Sequence, residues 1–306
     1  MLEEKQEKFF IKVHLPLFLV QICFASLPIY SKIAFKTFGP GILAFLRIST
    51  VALIFASVFF FFQREKIKEK KHLLYFAALA FFGATGNIFF YLKGLELSTA
   101  INATIIVSSV PVFTILVAVI MRQEKFSYGK LIGIVVAVLG VSNLINFSQF
   151  QMGGYLTGNL LVVLNSFLYS IYLVMIKPML KIYRPFTILT YVFIFASIEI
   201  IPLTIGDFLR FDFASADAAS LFPLFMVLTF GTLFPYLLNS LALKHAPSSL
   251  VAIYVYLQPV LAALLAVIML GEVITFTMII SAVLIIIGVT IVRFPNLIFL
   301  SRKRLE

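Results

Sequence analysis

Polar side chains recur three and four residues apart inside long apolar stretches of this sequence. In a helix that spacing places them on one face. The five faces of this kind consist of Gln21, Ala25, Pro28 and Lys32; of Gly83, Asn87, Tyr91 and Gly94; of Asn165, Tyr169 and Tyr172; of Tyr236, Asn239 and Ser240; and of Tyr254 and Gln258. Tyrosines and amides turned toward one another would line a wet cavity suited to a planar or zwitterionic small molecule.

The same faces have a second interpretation. Asn, Ser and Gly also hold apolar helices together by close packing and hydrogen bonds, without any ligand. For a single residue this packing role is the better account. Because five faces occur together, we favour the cavity and predict as substrate contacts Asn87, Tyr91, Asn165, Tyr169, Tyr172, Asn239, Tyr254 and Gln258.

Two charged residues lie inside apolar stretches, where charge is costly and usually functional. Arg47 is predicted to contact a carboxylate of the substrate, and Glu199 to take up a proton that couples to transport. The alternatives are that each side chain reaches toward the interface or forms a structural ion pair.

Pro111 and Pro259 occupy equivalent positions in two apolar stretches. Each removes a backbone hydrogen bond and permits a kink. We interpret them as hinges, with a static bend as the alternative. Glu124 and Glu272, which end the same stretches, are interpreted as caps at a helix boundary.

Signatures of catalysis are absent from the sequence. The three histidines are scattered, the chain has a single cysteine, Cys23, and no metalloprotease, nucleophile-elbow or P-loop motif occurs. The sequence therefore predicts neither an enzyme nor a cofactor or metal site.

The composition is that of a chain dissolved in lipid. Of 306 residues, 62% are hydrophobic and 12% charged, against about half and a quarter in soluble domains. The fold class predicted is an all-α membrane protein with ten transmembrane helices, at about 13–35, 41–62, 72–96, 98–121, 129–147, 155–178, 186–206, 219–243, 247–270 and 275–295.

The net charge of +11 would suggest nucleic acid in a soluble protein, but here the basic residues lie between apolar stretches. We therefore interpret the charge as topology and predict the lipid bilayer, not nucleic acid, as a partner. Most lysines and arginines fall on one side if both termini are inside. This predicts a cytoplasmic membrane with cytoplasmic N and C termini.

The segment 91–141 recurs without a gap as 239–289. Gly83 corresponds to Gly231, Pro111 to Pro259, and the four residues 118–121 are identical to 266–269. This is an internal duplication. Since each half, 1–147 and 148–306, would carry five helices, the second half is predicted to be inverted in the membrane. Carriers use inverted repeats to open alternately to either side.

These repeated segments resemble the EamA module of the drug/metabolite transporter superfamily. The resemblance rests on the mid-span proline, the glutamate that closes that span and the glycine near the end of the next. Phe45, Leu46 and Arg47 match the family's second span, and Lys32 matches the basic residue that ends its first. One departure is Phe24-Ala25, where relatives often carry Trp-Gly. The resemblance implies a substrate path among spans 1, 3, 4, 6, 8 and 9.

Members of that family commonly export amino acids, other metabolites or drugs, often in exchange for protons. We therefore expect a secondary active exporter of a small organic metabolite. One alternative is a sugar-phosphate or nucleotide-sugar exchanger, which should need paired Lys or Arg for phosphate. Another is a membrane scaffold or receptor that transports nothing.

Overall fold

The computed structural model describes residues 7, 9–63, 65–144, 155–212, 216–270 and 276–294. Within these ranges the chain is helical and contains no strand. The α-helices are α1 Leu15–Ala34, α2 Gly39–Val58, α3 Lys71–Ala80, α4 Gly86–Glu96, α5 Ala100–Val107, α6 Val110–Ile120, α7 Tyr128–Leu144, α8 Leu156–Leu180, α9 Pro185–Glu199, α10 Ile201–Arg210, α11 Ala218–Leu228, α12 Phe234–Leu243, α13 Ser248–Ile253, α14 Leu257–Leu270 and α15 Phe276–Arg293.

Short π-helical turns join several of these helices into longer ones. Six helical segments of the described residues are long and apolar enough to cross a membrane, namely Phe10–Ala34, Gly39–Phe62, Lys71–Glu96, Ala100–Ile120, Leu156–Leu180 and Ala218–Leu243. The pair α9 and α10, bent by 59°, is a seventh candidate. Shorter apolar helices lie at the positions predicted for spans 5, 9 and 10. The all-helical class is confirmed, and the number ten stays a prediction.

Helix starts follow local sequence signals. Thr99 accepts a hydrogen bond from the backbone N–H of Asn102 at 3.0 Å and so caps α5. Asp217 caps α11 in the same way through Ser220, at 2.8 Å. Both side chains satisfy N–H groups that a helix start leaves unpaired.

Helices of one half of the chain pack mainly against helices of the other half. α4 packs along α8, α1 packs along α12, and α7 packs along α15. Glycine permits the closest approaches. A Cβ on Gly94 would lie 2.8 Å from the carbonyl oxygen of Gly158, and one on Gly133 would lie 2.8 Å from that of Gly288. The two halves thus pack closely at small residues, as is common between membrane helices.

The two prolines predicted as hinges each follow an interruption of the α-helix. α5 ends at Val107 and α6 begins at Val110, directly before Pro111. Pro259 lies in the first turn of α14, after a 3₁₀ turn at Tyr254–Tyr256. Proline fits the start of a helix, where its missing N–H has no partner to lose. The structure therefore places a break at both prolines, while movement about them stays a prediction.

Candidate functional site

Two π-helical turns occupy equivalent positions in the two halves. One spans Phe81–Thr85 between α3 and α4, and the other spans Thr229–Leu233 between α11 and α12. A π-turn widens the helix locally, and such turns occur frequently at functional sites. At the centre of each lies one of the duplicated glycines, Gly83 and Gly231. Each glycine carbonyl accepts a hydrogen bond from a side chain of the opposite half.

Arg47 of α2 is the side chain that binds the second of these turns. Its guanidinium is buried, with 2% of the residue exposed. Nε donates to Thr232 Oγ1 at 2.9 Å, and Nη2 donates to the Gly231 carbonyl at 2.9 Å. Nη1 has no hydrogen-bond partner among the described residues. A buried cationic donor is therefore held in place with one nitrogen unused.

Tyr236 of α12 binds the first turn. Its hydroxyl donates to the Gly83 carbonyl and lies 3.2 Å from Asn87 Oδ1. Asn87 and Asn165 bind each other's backbone: Asn165 Nδ2 donates to Asn87 O at 2.8 Å, and Asn87 Nδ2 donates to Asn165 O at 3.4 Å. Asn87, Asn165 and Tyr236 thus connect α4, α8 and α12 at one level of the bundle.

These groups face a cavity of about 70 Å³. Six residues predicted from the sequence line it, namely Arg47, Asn87, Tyr91, Asn165, Tyr169 and Gln258. Phe24 lines it as well, with its ring edge-on to that of Tyr169 at 6.5 Å between centroids. Phe24, where the resemblance to the EamA module leads one to expect Trp, therefore presents an aromatic ring to the cavity.

Tyr236 and Thr104 also line the cavity and were absent from the predicted contacts. Tyr236 could have been chosen, because it shares a predicted face with Asn239. Thr104 has Ser108 four residues further on, at helical spacing, so the rule that identified the other faces could have identified it as well.

Three predicted contacts lie behind the lining in this structure. The buried ring of Tyr172 stacks on Tyr169, with 6.1 Å between centroids, and packs against Gly83. Asn239 donates from Nδ2 to the Tyr169 hydroxyl at 2.7 Å. Tyr254 is hydrogen-bonded to His14 near the start of the chain. The rotation of each helix turns these side chains toward neighbouring helices, so they support the lining residues.

At the end of the bundle predicted to be cytoplasmic, hydrogen bonds connect the helices that surround the cavity. Gln258 Nε2 donates to Gln21 Oε1 at 2.8 Å, and the Lys177 ammonium donates to the carbonyl of Ala246 at 2.6 Å. Between these levels, the Ser248 hydroxyl donates to the Leu173 carbonyl at 2.8 Å. Toward the opposite end the lining comes from α1, α4 and α5.

Glu124 adds a further contact at this end. It lies between α6 and α7, and its carboxylate accepts from the backbone N–H of Ser249 at 3.1 Å, from the Ser249 hydroxyl and from Lys130. Burial disfavours its charge, but the bonds from Lys130 and Ser249 outweigh burial and leave the pKa of Glu124 below its usual value. Glu124 thus caps α13 of the other half. Its counterpart Glu272 lies outside the described residues.

Glu199 does not line the cavity. It is partly buried at the bend between α9 and α10, and its Oε2 accepts a hydrogen bond from Thr85 Oγ1 at 2.7 Å. Thr85 is the last residue of the π-turn that contains Gly83. The carboxylate is therefore linked to the cavity through a single turn of helix.

No group of three or more His, Cys, Asp or Glu side chains among the described residues is placed to hold a metal ion. The polar groups of the site are donors and acceptors suited to binding a solute.

The chain has relatives over nearly its whole length. An uncharacterized transporter of Archaeoglobus fulgidus is 30% identical over 284 residues, which cover 91% of this chain and 96% of that protein. A WAT1-related protein of Arabidopsis thaliana is 26% identical over 314 residues, covering 92% of this chain and 81% of that protein. A crystal structure of a protein with 16% identity matches with a TM-score of 0.72, over 95% of this chain and 98% of that one, and so shares the fold.

The sequence model of the EamA-like transporter family matches residues 11–145 and 156–294. These two matches correspond to the two halves inferred from the internal duplication, although the boundaries 1–147 and 148–306 stay a prediction. Together with the apolar helices, they show that the chain is a multi-pass membrane protein and belongs to the EamA-like transporter family of the drug/metabolite transporter superfamily.

Proposed function

We propose that this protein is a secondary active transporter of a small organic carboxylate, such as an amino acid or a related metabolite. The observation that carries the proposal is the unused Nη1 of Arg47 at the wall of the cavity. A buried guanidinium bound by only neutral oxygens is costly, and a carboxylate of the substrate would supply both the missing acceptor and the opposite charge.

The rest of the wall fits the remainder of such a molecule. Tyr91 and Tyr169 offer flat apolar surface, and Asn87, Asn165 and Gln258 offer amide donors and acceptors. Arg47 is the single cation among the described lining residues. A sugar-phosphate or nucleotide-sugar exchanger should present paired cations to phosphate, so this lining favours a carboxylate.

The cavity of about 70 Å³ is small beside ligand pockets, which begin at roughly 300 Å³. Binding therefore requires the helices to separate, as alternating access demands. The interruptions before Pro111 and Pro259 lie beside the lining residues Val110 and Gln258, and we assign the hinge motion to them.

The asymmetry of basic residues supports a location in the cytoplasmic membrane, with both termini in the cytoplasm. In that orientation we take the contacts of Gln258 with Gln21 and of Lys177 with Ala246 to close the cytoplasmic end, so that the cavity would be reached from the outside. Export would begin when this end opens. Glu199 is proposed to exchange protons during the cycle, because it is a partly buried carboxylate linked to the cavity through Thr85.

Counterflow in proteoliposomes tests the proposed substrate class. The solutes should include amino acids, the amines that lack their carboxylate, other carboxylates, sugar phosphates and nucleotide sugars. We expect exchange of at least one amino acid or related carboxylate, and none of its matching amine.

For that solute, Arg47→Gln should lower exchange by roughly tenfold to a hundredfold, since a hydrogen bond between charged groups is lost. Replacing Tyr91 and Tyr169 by Ala should abolish exchange while the protein stays in the membrane. Arg210→Gln, at an exposed helix end, is the control and should exchange normally. Exchange of phosphorylated solutes alone would favour the exchanger, and the absence of any flux would favour a scaffold.

A further inference from the structure

An apolar groove runs along the outside of the protein between α6 and α7. It has a volume of about 430 Å³ and shares no lining residue with the central cavity. All its lining side chains are apolar, namely Val112, Ile115, Leu116, Val119, Phe126, Leu131, Ile134, Val135, Val138 and Leu139. A groove with this lining offers nothing to a polar solute, but it matches the chemistry of a hydrocarbon chain.

The groove arises because α6 and α7 pack in different directions. α6 packs against α8 and α13, whereas α7 packs along α15. The facing sides of α6 and α7 are left open, and Leu116, Val135 and Leu139 are each at least half exposed, at 51%, 50% and 57%. A void along such a surface forfeits dispersion contacts that an inserted acyl chain would restore.

One end of the groove carries uncompensated positive charge. Phe126, 55% exposed, lines the groove in the connection between α6 and α7. Arg122 and Lys125, close before it, are exposed and form no ion pair with a described residue. By contrast, the nearby ammonium of Lys130 is already paired with Glu124. Two unpaired cations thus stand at the mouth of a hydrocarbon-lined groove.

We propose that this groove is a binding site for an anionic phospholipid. One acyl chain lies between α6 and α7, and the phosphate lies at Arg122 and Lys125. Basic residues at the membrane surface attract anionic lipids, and each contributes roughly a fivefold preference over a zwitterionic lipid. The bound lipid would contact the outer side of α6, whose residue Val110 lines the central cavity.

The absence of tryptophan from the chain allows a direct test. Phe126→Trp places a single fluorophore at the mouth of the groove in the full-length protein. Brominated phosphatidylglycerol and brominated phosphatidylcholine, each as a minor fraction in unlabelled phosphatidylcholine vesicles, quench tryptophan on contact. We expect phosphatidylglycerol to quench with an apparent affinity at least fivefold higher, and the preference to disappear when Arg122 and Lys125 are both changed to Gln.

Phe62→Trp is the matched control. Residue 62 is 80% exposed and lies near the exposed lysines 66, 68 and 70, at the same predicted end of the bundle, but it lines neither this groove nor the central cavity. It reports general attraction of anionic lipid to basic residues. Leu131→Trp, inside the groove, is a second reporter if Phe126→Trp does not fold. Equal quenching by the two lipids in the groove, or the same preference at residue 62, would overturn the proposal.

Discussion

At the scale of single residues, the position of a charge in the membrane matters more than its presence. Arg47 and Glu199 both stand out in the sequence as charges inside apolar stretches. In the structure they have different surroundings: Arg47 is buried against the Gly231 turn and faces the cavity, whereas Glu199 is partly buried and bonded to Thr85. These surroundings separate a residue suited to binding from one suited to taking up a proton.

Glu199→Gln tests whether Glu199 is the proposed proton site. The amide can still accept the hydrogen bond from Thr85 but cannot titrate, so the variant should lose pH-driven uptake and keep counterflow of substrate. Uptake in proteoliposomes with and without a pH gradient measures the difference. Thr85→Val, which removes the hydrogen bond and keeps the carboxylate, is the comparison. If Glu199→Gln still accumulates substrate under a pH gradient, Glu199 is not the coupling residue.

Glu124 should make stability depend on pH. Because its folded pKa lies below the unfolded value of about 4.3, its contribution is present above that value and is lost as the pH falls through the folded pKa. Near neutral pH, Glu124→Gln should therefore have a lower melting temperature than wild type, by roughly 2–4 °C for each kcal/mol of stability lost. This difference in melting temperature should become smaller below pH about 4.

Thermal unfolding of the purified proteins across this pH range measures the difference in melting temperature. Glu96→Gln is the control. Glu96 is exposed, and its carboxylate lies 3.7 Å from the Lys93 ammonium, an ion pair that contributes little to stability in solvent. If the difference in melting temperature between Glu124→Gln and wild type does not change with pH, the role assigned to the carboxylate is contradicted.

At the scale of elements, the two π-turns organise the site. In each turn the carbonyl of the central glycine accepts a hydrogen bond from a side chain of the other half of the protein. The duplicated glycines were visible in the sequence, but the extra residue in each turn was not. A π-turn is stabilised by tertiary contacts, here those of Arg47 and Tyr236, which lie far away in the chain.

Gly83→Ala should destabilise the protein by about 1–3 kcal/mol, the usual cost of overpacking. The added Cβ would lie 2.2 Å from the nearest atom of the Tyr172 ring, which is buried and cannot move aside. Gly231→Ala should cost less, because its nearest neighbour is the terminal Cδ1 of Leu27, at 2.6 Å.

Thermal unfolding of each purified variant measures these losses. Gly206→Ala is the control, since no atom lies within 4 Å of a Cβ built there. Combining Gly83→Ala with Tyr172→Leu should recover part of the loss. Equal melting temperatures for Gly83→Ala and Gly206→Ala would contradict the close packing of the π-turn.

At the scale of the whole molecule, the two halves depend on each other. The pairs α4 with α8, α1 with α12, and α7 with α15 all join opposite halves. The cavity is also shared, since Arg47 and Asn87 come from the first half, and Tyr169 and Gln258 come from the second. Neither half encloses a site without the other.

Co-expression of residues 1–147 and 148–306 as separate chains should therefore yield a stable complex with transport activity, while each half alone should be degraded or aggregate. Co-purification through a tag on one half measures assembly. Gly288→Leu should prevent it, because even a Cβ there would lie 2.6 Å from the carbonyl oxygen of Gly133. Leu203→Phe, exposed in α10, is the control and should assemble normally. Stable, separately folded halves would contradict this dependence.

Much of this protein could be predicted from the chain alone, because the relevant physics is local or compositional. Apolar stretches of membrane length predict helices, and the repeat at Gly83 and Gly231 predicts a duplicated architecture. Helical spacing identifies most of the polar side chains that line the cavity, but few of the apolar ones. These features depend on which residues follow one another, and lipid as the surrounding solvent leaves few alternatives to helices.

The remaining features depend on how each helix is rotated against its neighbours, which sequence spacing does not specify. Because of that rotation, the side chains of Tyr172, Asn239 and Tyr254 lie behind the cavity lining. Tyr236 and Thr104 lie at the cavity wall. It also places Glu124 at the start of α13 in the other half. Each of these outcomes requires contacts between residues distant in the chain, so only the packed helices could reveal them.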